Sequence, residues 1–218
     1  MTPKDAIRGA IVCGLLLAGT ASPARADILF YFNDPGVLQP EENLLFNDNS
    51  LILSGLTVQG LTNQTGTRLD ITGQEPLLAD GGQATVSGQD GAFTYLLIEP
   101  AVLGTLFDEF EANLLVFKDS GPTPTGTVTV SVTNNFGNTE TSQYAVGAGQ
   151  NYFSLLAVDP QLIRSIVITS SVDLANLEQI RVGGVQASPD PAPVPEPASM
   201  ILFGTGLFAI GRRLRRRT

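Results

Sequence analysis

The sequence predicts an all-β fold, an antiparallel β-sandwich in which two sheets pack face to face. Short runs rich in Val, Ile, Thr, Phe and Tyr alternate with clusters of Gly, Asn, Asp, Ser and Pro, as strands alternate with turns. About ten such runs follow at spacings of about 8–14 residues, and no amphipathic pattern continues through three helical turns. A barrel satisfies the same pattern and stays open as an alternative.

The clearest predicted strand is 127–133, with the sequence TVTVSVT. Its valines fall on one face and its Thr and Ser residues on the other, which is the alternation of a half-buried strand. Asp159 as N-cap and Pro160 at the next position predict one helical turn over 159–163. The other predicted strands span 28–32, 51–58, 68–71, 83–87, 93–99, 107–117, 140–146, 151–157, 164–170 and 177–186.

The first 26 residues have the organisation of a signal peptide. Lys4 and Arg8 form a positive amino-terminal region, the apolar stretch 10–19 predicts the signal helix, and Ala24-Arg25-Ala26 is a small-x-small cleavage motif. We therefore expect export through the Sec translocon and cleavage by signal peptidase after Ala26. The single cysteine, Cys13, lies inside the apolar stretch, so the mature chain is expected to form no disulfide.

The C-terminal segment combines three elements in a fixed order. Pro195-Glu196-Pro197 cannot hold a regular helix, because proline lacks an amide donor and restricts its neighbour. The uncharged run 198–211 predicts a short transmembrane helix of about 21 Å, against a hydrocarbon core of ~30 Å, which suits a transient anchor. Five positive charges then predict a C-terminus on the cytoplasmic side: Arg212, Arg213, Arg215, Arg216 and Arg217.

This arrangement resembles the PEP-CTERM sorting signal of exported bacterial proteins, and Pro195-Glu196-Pro197 matches its namesake triplet. The resemblance implies recognition by a membrane exosortase and cleavage near the triplet. It further implies transfer to the cell surface or to the exopolysaccharide matrix of a biofilm, in a bacterium of the Gram-negative type. An ordinary, permanent tail anchor and a buried core helix are the alternatives for the apolar run.

The run from Phe93 to Val185 resembles the domains that are common in proteins with this signal. Its succession of strands, ending in LEQIRVGGV over 177–185, is similar to sandwiches of the galactose-binding or carbohydrate-binding type. The resemblance implies a jelly-roll-like sandwich and makes a glycan such as exopolysaccharide a candidate partner.

The chain therefore divides into four predicted segments: a signal peptide at 1–26, a sandwich domain at 27–186, a Pro-rich linker at 187–193 and the sorting segment at 194–218. Between the two signals, nineteen acidic residues stand against four basic ones, a formal charge of −15. Such a surface repels nucleic acid and anionic glycans at low salt, so no nucleic-acid partner is expected.

Composition also limits the chemistry. The chain has no histidine and no tryptophan, and its cysteine lies in the signal peptide, which excludes zinc sites and His-dependent nucleophiles. Asp108, Glu109 and Glu111 form an acidic cluster that could supply paired carboxylates for glycoside hydrolysis. Glu109 and Glu111 share one face of the strand, and a solvated strand face is the favoured interpretation. A bulge is expected near Ala112-Asn113.

Carboxylates could also bind a structural calcium ion outside the cell. The candidate ligands are Asp27 and Glu178, with Asp80 and Asp90, although the sequence has no DxDxDG loop. No other cofactor and no catalytic residue is predicted. The sequence thus predicts a non-catalytic surface or matrix protein for which glycan binding is an open activity. The alternatives are a secreted polysaccharide hydrolase and a permanently tail-anchored adhesin.

Overall fold

Thirteen strands and no helix make up the part of the chain that the computed structural model describes, residues 28–81 and 84–187. The strands are β1 (Ile28–Phe32), β2 (Glu42–Leu45), β3 (Ser54–Thr62), β4 (Arg68–Asp80), β5 (Thr85–Gly88), β6 (Phe93–Pro100), β7 (Thr105–Leu106), β8 (Glu109–Val116), β9 (Gly126–Asn134), β10 (Thr139–Val146), β11 (Asn151–Ala157), β12 (Ile163–Gly183) and β13 (Gln186–Ala187). The pairs of the main sheet are antiparallel, as predicted.

Two layers of strands share β12, which is 21 residues long. The first half of β12, up to Ser170, pairs with β9 and β6. Its second half, from Leu174, pairs mainly with β8, β5 and β2. The first layer therefore runs β10-β9-β12-β6-β4-β3, and the second runs β1-β11-β8-β12 and continues into β2 and β5.

The two layers enclose one hydrophobic core. The three valines of β9 are fully buried, as their alternation predicts. Tyr144 of β10 stacks on Phe32 of β1 with ring centroids 4.3 Å apart, and it also contacts Phe153 of β11. Because β10 belongs to one layer and β1 and β11 to the other, these ring contacts join the layers face to face, which is the packing of a β-sandwich.

The structure corrects several details of the predicted secondary structure. The predicted strand 164–170 and residues 177–183 of the predicted strand 177–186 are parts of the continuous strand β12, which ends at Gly183. The helical turn predicted over 159–163 is absent: the Asp159-Pro160 peptide bond is cis, and the amide of Gln161 donates to the carbonyl of Val158 in a turn. The strand predicted over 127–133 is confirmed as β9.

The irregularities of the β12–β8 pair lie in β12 and not in β8. The register with β8 shifts between Leu174 and Asn176 and again between Glu178 and Arg181, whereas β8 pairs with β11 without a shift. The bulge predicted near Ala112-Asn113 is therefore wrong. At the second shift Gln179 has a φ of 54°, and the extra residue keeps Ile180 in the core while Arg181 turns outward.

The signal helix predicted in 1–26, the linker beyond residue 187 and the transmembrane helix predicted in 194–218 lie outside the described residues. Residues 28–81 and 84–187 contain no helix with the length and hydropathy that a membrane crossing requires. The predicted segment boundaries remain predictions.

Candidate functional site

The outward face of β8 and its neighbours carries two rows of polar side chains. Phe110, Ala112, Leu114 and Val116 of β8 enter the core, so the alternate residues of this strand point outward. Directly opposed residues of paired strands share a face, and the register aligns the rows across several strands. The first row is Tyr31, Ser154, Glu111, Arg181 and Asn43, and the second is Tyr152, Asn113 and Glu178; together they form the polar face.

Much of the polar face is withdrawn from solvent. Glu111 is only 7% exposed, and it accepts a hydrogen bond from the hydroxyl of Ser154 at 3.2 Å. The hydroxyl of Tyr152 on β11 donates to Oε1 of Gln179 on β12 at 2.9 Å, so the tyrosine reaches across β8 above Asn113. The expected solvated strand face is therefore wrong for Glu111, although Glu109 and Glu111 do share a face as predicted.

Two donors on the polar face have no protein acceptor. Asn113 is fully buried, and its Oδ1 accepts from the amide of Asn151 at 2.8 Å, but its Nδ2 has no hydrogen-bond partner. The Nε of Arg181 is also buried without a partner. Buried donors without acceptors cost roughly 1–3 kcal/mol each, so most are satisfied in folded proteins. The polar face thus has hydrogen-bonding capacity that the protein does not use itself.

Three carboxylates converge beside the polar face, around Gly183 and Gly184. A Cβ at Gly183 would lie 2.8 Å from Oε2 of Glu41 and 3.0 Å from Oε2 of Glu109. A Cβ at Gly184, where φ is +58°, would overlap the carboxylate of Asp108. Glycine suits the left-handed backbone at 184, and at both positions the acidic side chains occupy the space that a Cβ would take.

The convergence changes the acidity of two of these groups. Burial raises the pKa of Asp108, and the charge of Glu41 raises it further. Burial also raises the pKa of Glu109, to which the charges of Asp108 and then Glu41 add; Glu111 contributes as well. Partly buried like charges disfavour ionisation, so the cluster around Gly183 and Gly184 takes up protons more readily than isolated carboxyls do.

We expect Glu109→Gln to stabilise the protein at pH 7, by about 0.5 kcal/mol, because it removes one of several repelling charges. A carboxyl with a raised folded-state pKa binds a proton more readily in the folded protein than in the unfolded chain. The unmodified protein therefore loses this repulsion as the pH falls below the folded pKa towards about 4.3. Urea unfolding at pH 7 and pH 4 measures the difference. Glu75→Gln, on β4 and outside the carboxylate cluster, is the control. An equal gain in stability at both pH values for Glu109→Gln would contradict the expectation.

Glu42 has a structural role close to this cluster. It is buried, and it accepts hydrogen bonds from the amide of Thr65 at 2.8 Å, the amide of Gln64 at 3.2 Å and the hydroxyl of Thr65. Burial acts to raise the pKa of Glu42, but the hydrogen bonds from Thr65, Thr62 and Gln64 outweigh it and hold the pKa below its usual value. The carboxylate fixes the β3–β4 turn.

Glu42→Gln should therefore destabilise the fold by about 1–3 kcal/mol at pH 7, because an amide donor would face amide and hydroxyl donors. A lowered folded-state pKa stabilises the protein above the unfolded pKa of about 4.3, and this stability is lost as the pH falls through the folded pKa. The penalty of the variant should shrink in acid. Thermal melts from pH 7 to pH 3 test this, with the exposed Glu99→Gln as control; a penalty independent of pH would refute the charge argument.

The structure does not bring the candidate calcium ligands together within the residues that it describes. Asp27 lies outside them, and Glu178 accepts from Nδ2 of Asn176 at 2.9 Å. Asp80 is at the end of β4, and Asp90 accepts from the amide of Ala92 in the turn after β5. Residues 28–81 and 84–187 contain no group of three or more acidic side chains arranged to hold a metal ion. Calcium binding through Asp27 remains a prediction.

The predicted processing residues also lie outside the described chain: Ala24, Ala26, Pro195, Glu196, Pro197, Arg212, Arg213, Arg215, Arg216 and Arg217. The structure adds three residues that the sequence did not single out. Glu41 and Arg181 reach the site through the β12–β2 register, and Ser154 through the β11–β8 register. The Pro-Glu-Glu run at 40–42, where β2 begins, is a local signal for Glu41.

Residues 193–217 match the family model described as the PEP-CTERM protein-sorting motif. The match supports a sorted protein that is exported to an extracellular or surface location after a transient stay at the membrane, and it implies an exosortase as the processing partner. It covers the C-terminal segment alone. Comparison with curated proteins finds no match, and comparison with solved structures also finds none.

Proposed function

We propose that this chain is a non-catalytic protein of the cell surface or exopolysaccharide matrix, delivered there by its sorting segment. The sorting motif at 193–217, which follows a folded acidic sandwich, carries this proposal. The signal peptide brings the chain to the Sec translocon, the apolar run holds it in the inner membrane of a Gram-negative-type cell, and processing near Pro195-Glu196-Pro197 releases the sandwich.

Intact-mass measurement on matrix and membrane fractions of the native host tests this proposal. The expected species outside the membrane begins at Asp27 and ends near Pro195 to Pro197. Glu196→Ala should retain the chain in the membrane fraction, whereas Pro191→Ala, outside the matched motif, should leave release unchanged. A single species that retains Arg212 to Arg217 would instead make the protein a permanently anchored adhesin.

We further propose that the polar face binds a neutral glycan within a jelly-roll-like sandwich. Tyr31 and Tyr152 offer aromatic rings for sugar faces, and the donors of Arg181 and the acceptor Glu111 suit hydroxyl groups. The charge of −15 disfavours anionic polysaccharides at low salt. The support is the alignment of tyrosine, serine, glutamate and arginine side chains in one row of this face.

A glycan array of neutral and acidic saccharides tests this activity. We expect neutral glycans to bind the native protein and Arg181→Ala to lose at least tenfold in affinity. Arg164→Ala makes the same change of charge at an exposed position of β12 and should bind normally. Thermal melts confirm that both variants are folded. Equal glycan binding by both variants would show that the glycan does not bind at the polar face.

The carboxylate cluster favours one second candidate, a polysaccharide hydrolase. A carboxyl that acts as a general acid near neutral pH needs a raised pKa, and the pKa values of Asp108 and Glu109 are both raised. Release of reducing sugar from neutral polysaccharides, lost in both Asp108→Asn and Glu109→Gln, would establish this activity. If no reducing sugar is released at pH 5 to 7, the hydrolase function is excluded and the non-catalytic binding function stands.

A further inference from the structure

Exposed apolar side chains gather in three loops at one end of the sandwich. Leu103 is 90% exposed and Val102 64%, in the loop between β6 and β7; Phe136 is 60% exposed in the β9–β10 hairpin. Val158, 40% exposed, lies after β11. These four residues form the apolar rim. The first three have the greatest exposure of any large apolar side chain in residues 28–81 and 84–187.

The strand register places the three loops together. The amide of Asn135 in the β9–β10 hairpin donates to the carbonyl of Leu162 in the loop that contains Val158, at 2.9 Å. Phe107, just after the loop that contains Val102 and Leu103, forms a bridge with Ile163 at the start of β12. All three loops therefore join strand ends on the same side of the molecule.

The described chain also begins and ends on this side. Ile28, where β1 begins, pairs with Ala157, the residue before Val158. At the other terminus, the carbonyl of Gly183 accepts from the amide of Asp108 at 3.1 Å, and β13 pairs with β7 directly after the apolar loop. The chain thus leaves the sandwich towards the sorting segment from the end that carries the apolar rim.

The connection from this end to the predicted membrane segment is short. Residues 188–197 separate β13 from the apolar run that begins at Ala198. Ten residues span at most about 36 Å when fully extended. While the run is inserted, the tether holds the rim close to the bilayer, and this high effective concentration lets weak interfacial contacts form.

We propose that the apolar rim contacts the lipid interface of the membrane before the sorting segment is processed. This inference rests on the proposed function, since it needs the inserted tail. Leu103 and Phe136 enter the headgroup region, as exposed apolar residues at a bilayer surface do. Glu140 and Asp159 flank the rim, so contact favours zwitterionic headgroups over anionic ones. Release by the exosortase removes the tether and with it the contact.

Site-specific fluorescence of the full chain in phosphatidylcholine nanodiscs tests the proposal. Single cysteines at Leu103→Cys and Phe136→Cys, in a Cys13→Ser background, carry an environment-sensitive dye. Leu56→Cys, 56% exposed on β3, is the matched control, and Ile201→Cys reports insertion of the tail. We expect spin-labelled lipid to quench the dyes at 103, 136 and 201 at least twofold more than the dye at 56.

Each other outcome overturns the proposal in a recognisable way. Quenching at 201 but not at 103 and 136 removes the rim contact and leaves the sorting function intact. A water-like signal at 201 removes the inserted tail and the rim contact together. Equal quenching at 56 and 103 shows non-specific adsorption to the bilayer. If the dye at 103 shows a blue shift in the absence of lipid, and the shift grows with protein concentration, the rim binds a second copy of the chain instead.

Discussion

Replacing Phe153 with alanine is expected to destabilise the protein by about 3–5 kcal/mol, the range for large aromatic truncations in a packed core. Phe153 is fully buried, and its ring contacts Phe110 at 5.6 Å and Tyr144 at 6.4 Å between centroids. Because Tyr144 belongs to the other layer, the cavity would open at the contact that joins the two sheets. A domain of this size commonly has a total stability of about 5–15 kcal/mol, so this loss is severe.

Equilibrium unfolding in urea, followed by tyrosine fluorescence and far-UV circular dichroism, measures the effect of Phe153→Ala. Phe136→Ala removes the same ring from an exposed hairpin and should change stability by less than about 0.5 kcal/mol. A loss below about 1 kcal/mol for Phe153→Ala would show that the ring does not join the layers as described.

The second large effect is expected at Gly88, where β5 ends. A Cβ at this position would overlap the backbone carbonyl of Ala92, which the turn over 89–92 brings back against the strand. Backbone atoms cannot rotate away as a side chain can, so Gly88→Ala must displace the turn. We expect a loss of about 3 kcal/mol or more, at the upper end of the range for overpacking.

Gly147→Ala is the matched control for Gly88→Ala. Its Cβ would lie 3.3 Å from a methyl group of Thr125, a side-chain atom that can move, and its φ is not in the left-handed region. The melting temperatures of the two variants should differ by roughly 6–12 °C, because a loss of 1 kcal/mol shifts the melting temperature by about 2–4 °C in chains of this length. Similar melting temperatures would contradict the backbone overlap.

The sequence predicts the strands with strong alternation and fails where one strand serves two layers. The TVTVSVT pattern gives β9 within one residue at each end. β4 was expected to end at Ile71 but continues to Asp80, because its first half pairs with β6 and its second half with β5. Gly73 and Pro76 look like breaks in the sequence, yet the carbonyl of Pro76 accepts from Gln89.

The candidate site, like the fold, could be predicted from the sequence only in part. The shared face of Glu109 and Glu111 follows from the period of the strand. Neither the burial of Glu111 nor the approach of Glu41 could be predicted, because both depend on which strands lie beside β8 and β12. Arg181 faces outward only because the shift at Gln179 adds a residue to β12. The adjacent polar residues Glu178 and Gln179 interrupt the alternation at this point, but they do not show which strand lies opposite.

β12 also determines how the domain carries mechanical load. Tension applied through the C-terminal side of the chain meets the short β13–β7 pair first and then enters the sandwich at Gly183, where β12 ends. The second half of β12 pairs with β8, β5 and β2, and its first half pairs with β9 and β6. Once the β13–β7 pair has opened, pulling β12 out of the domain therefore requires breaking strand pairs in both layers.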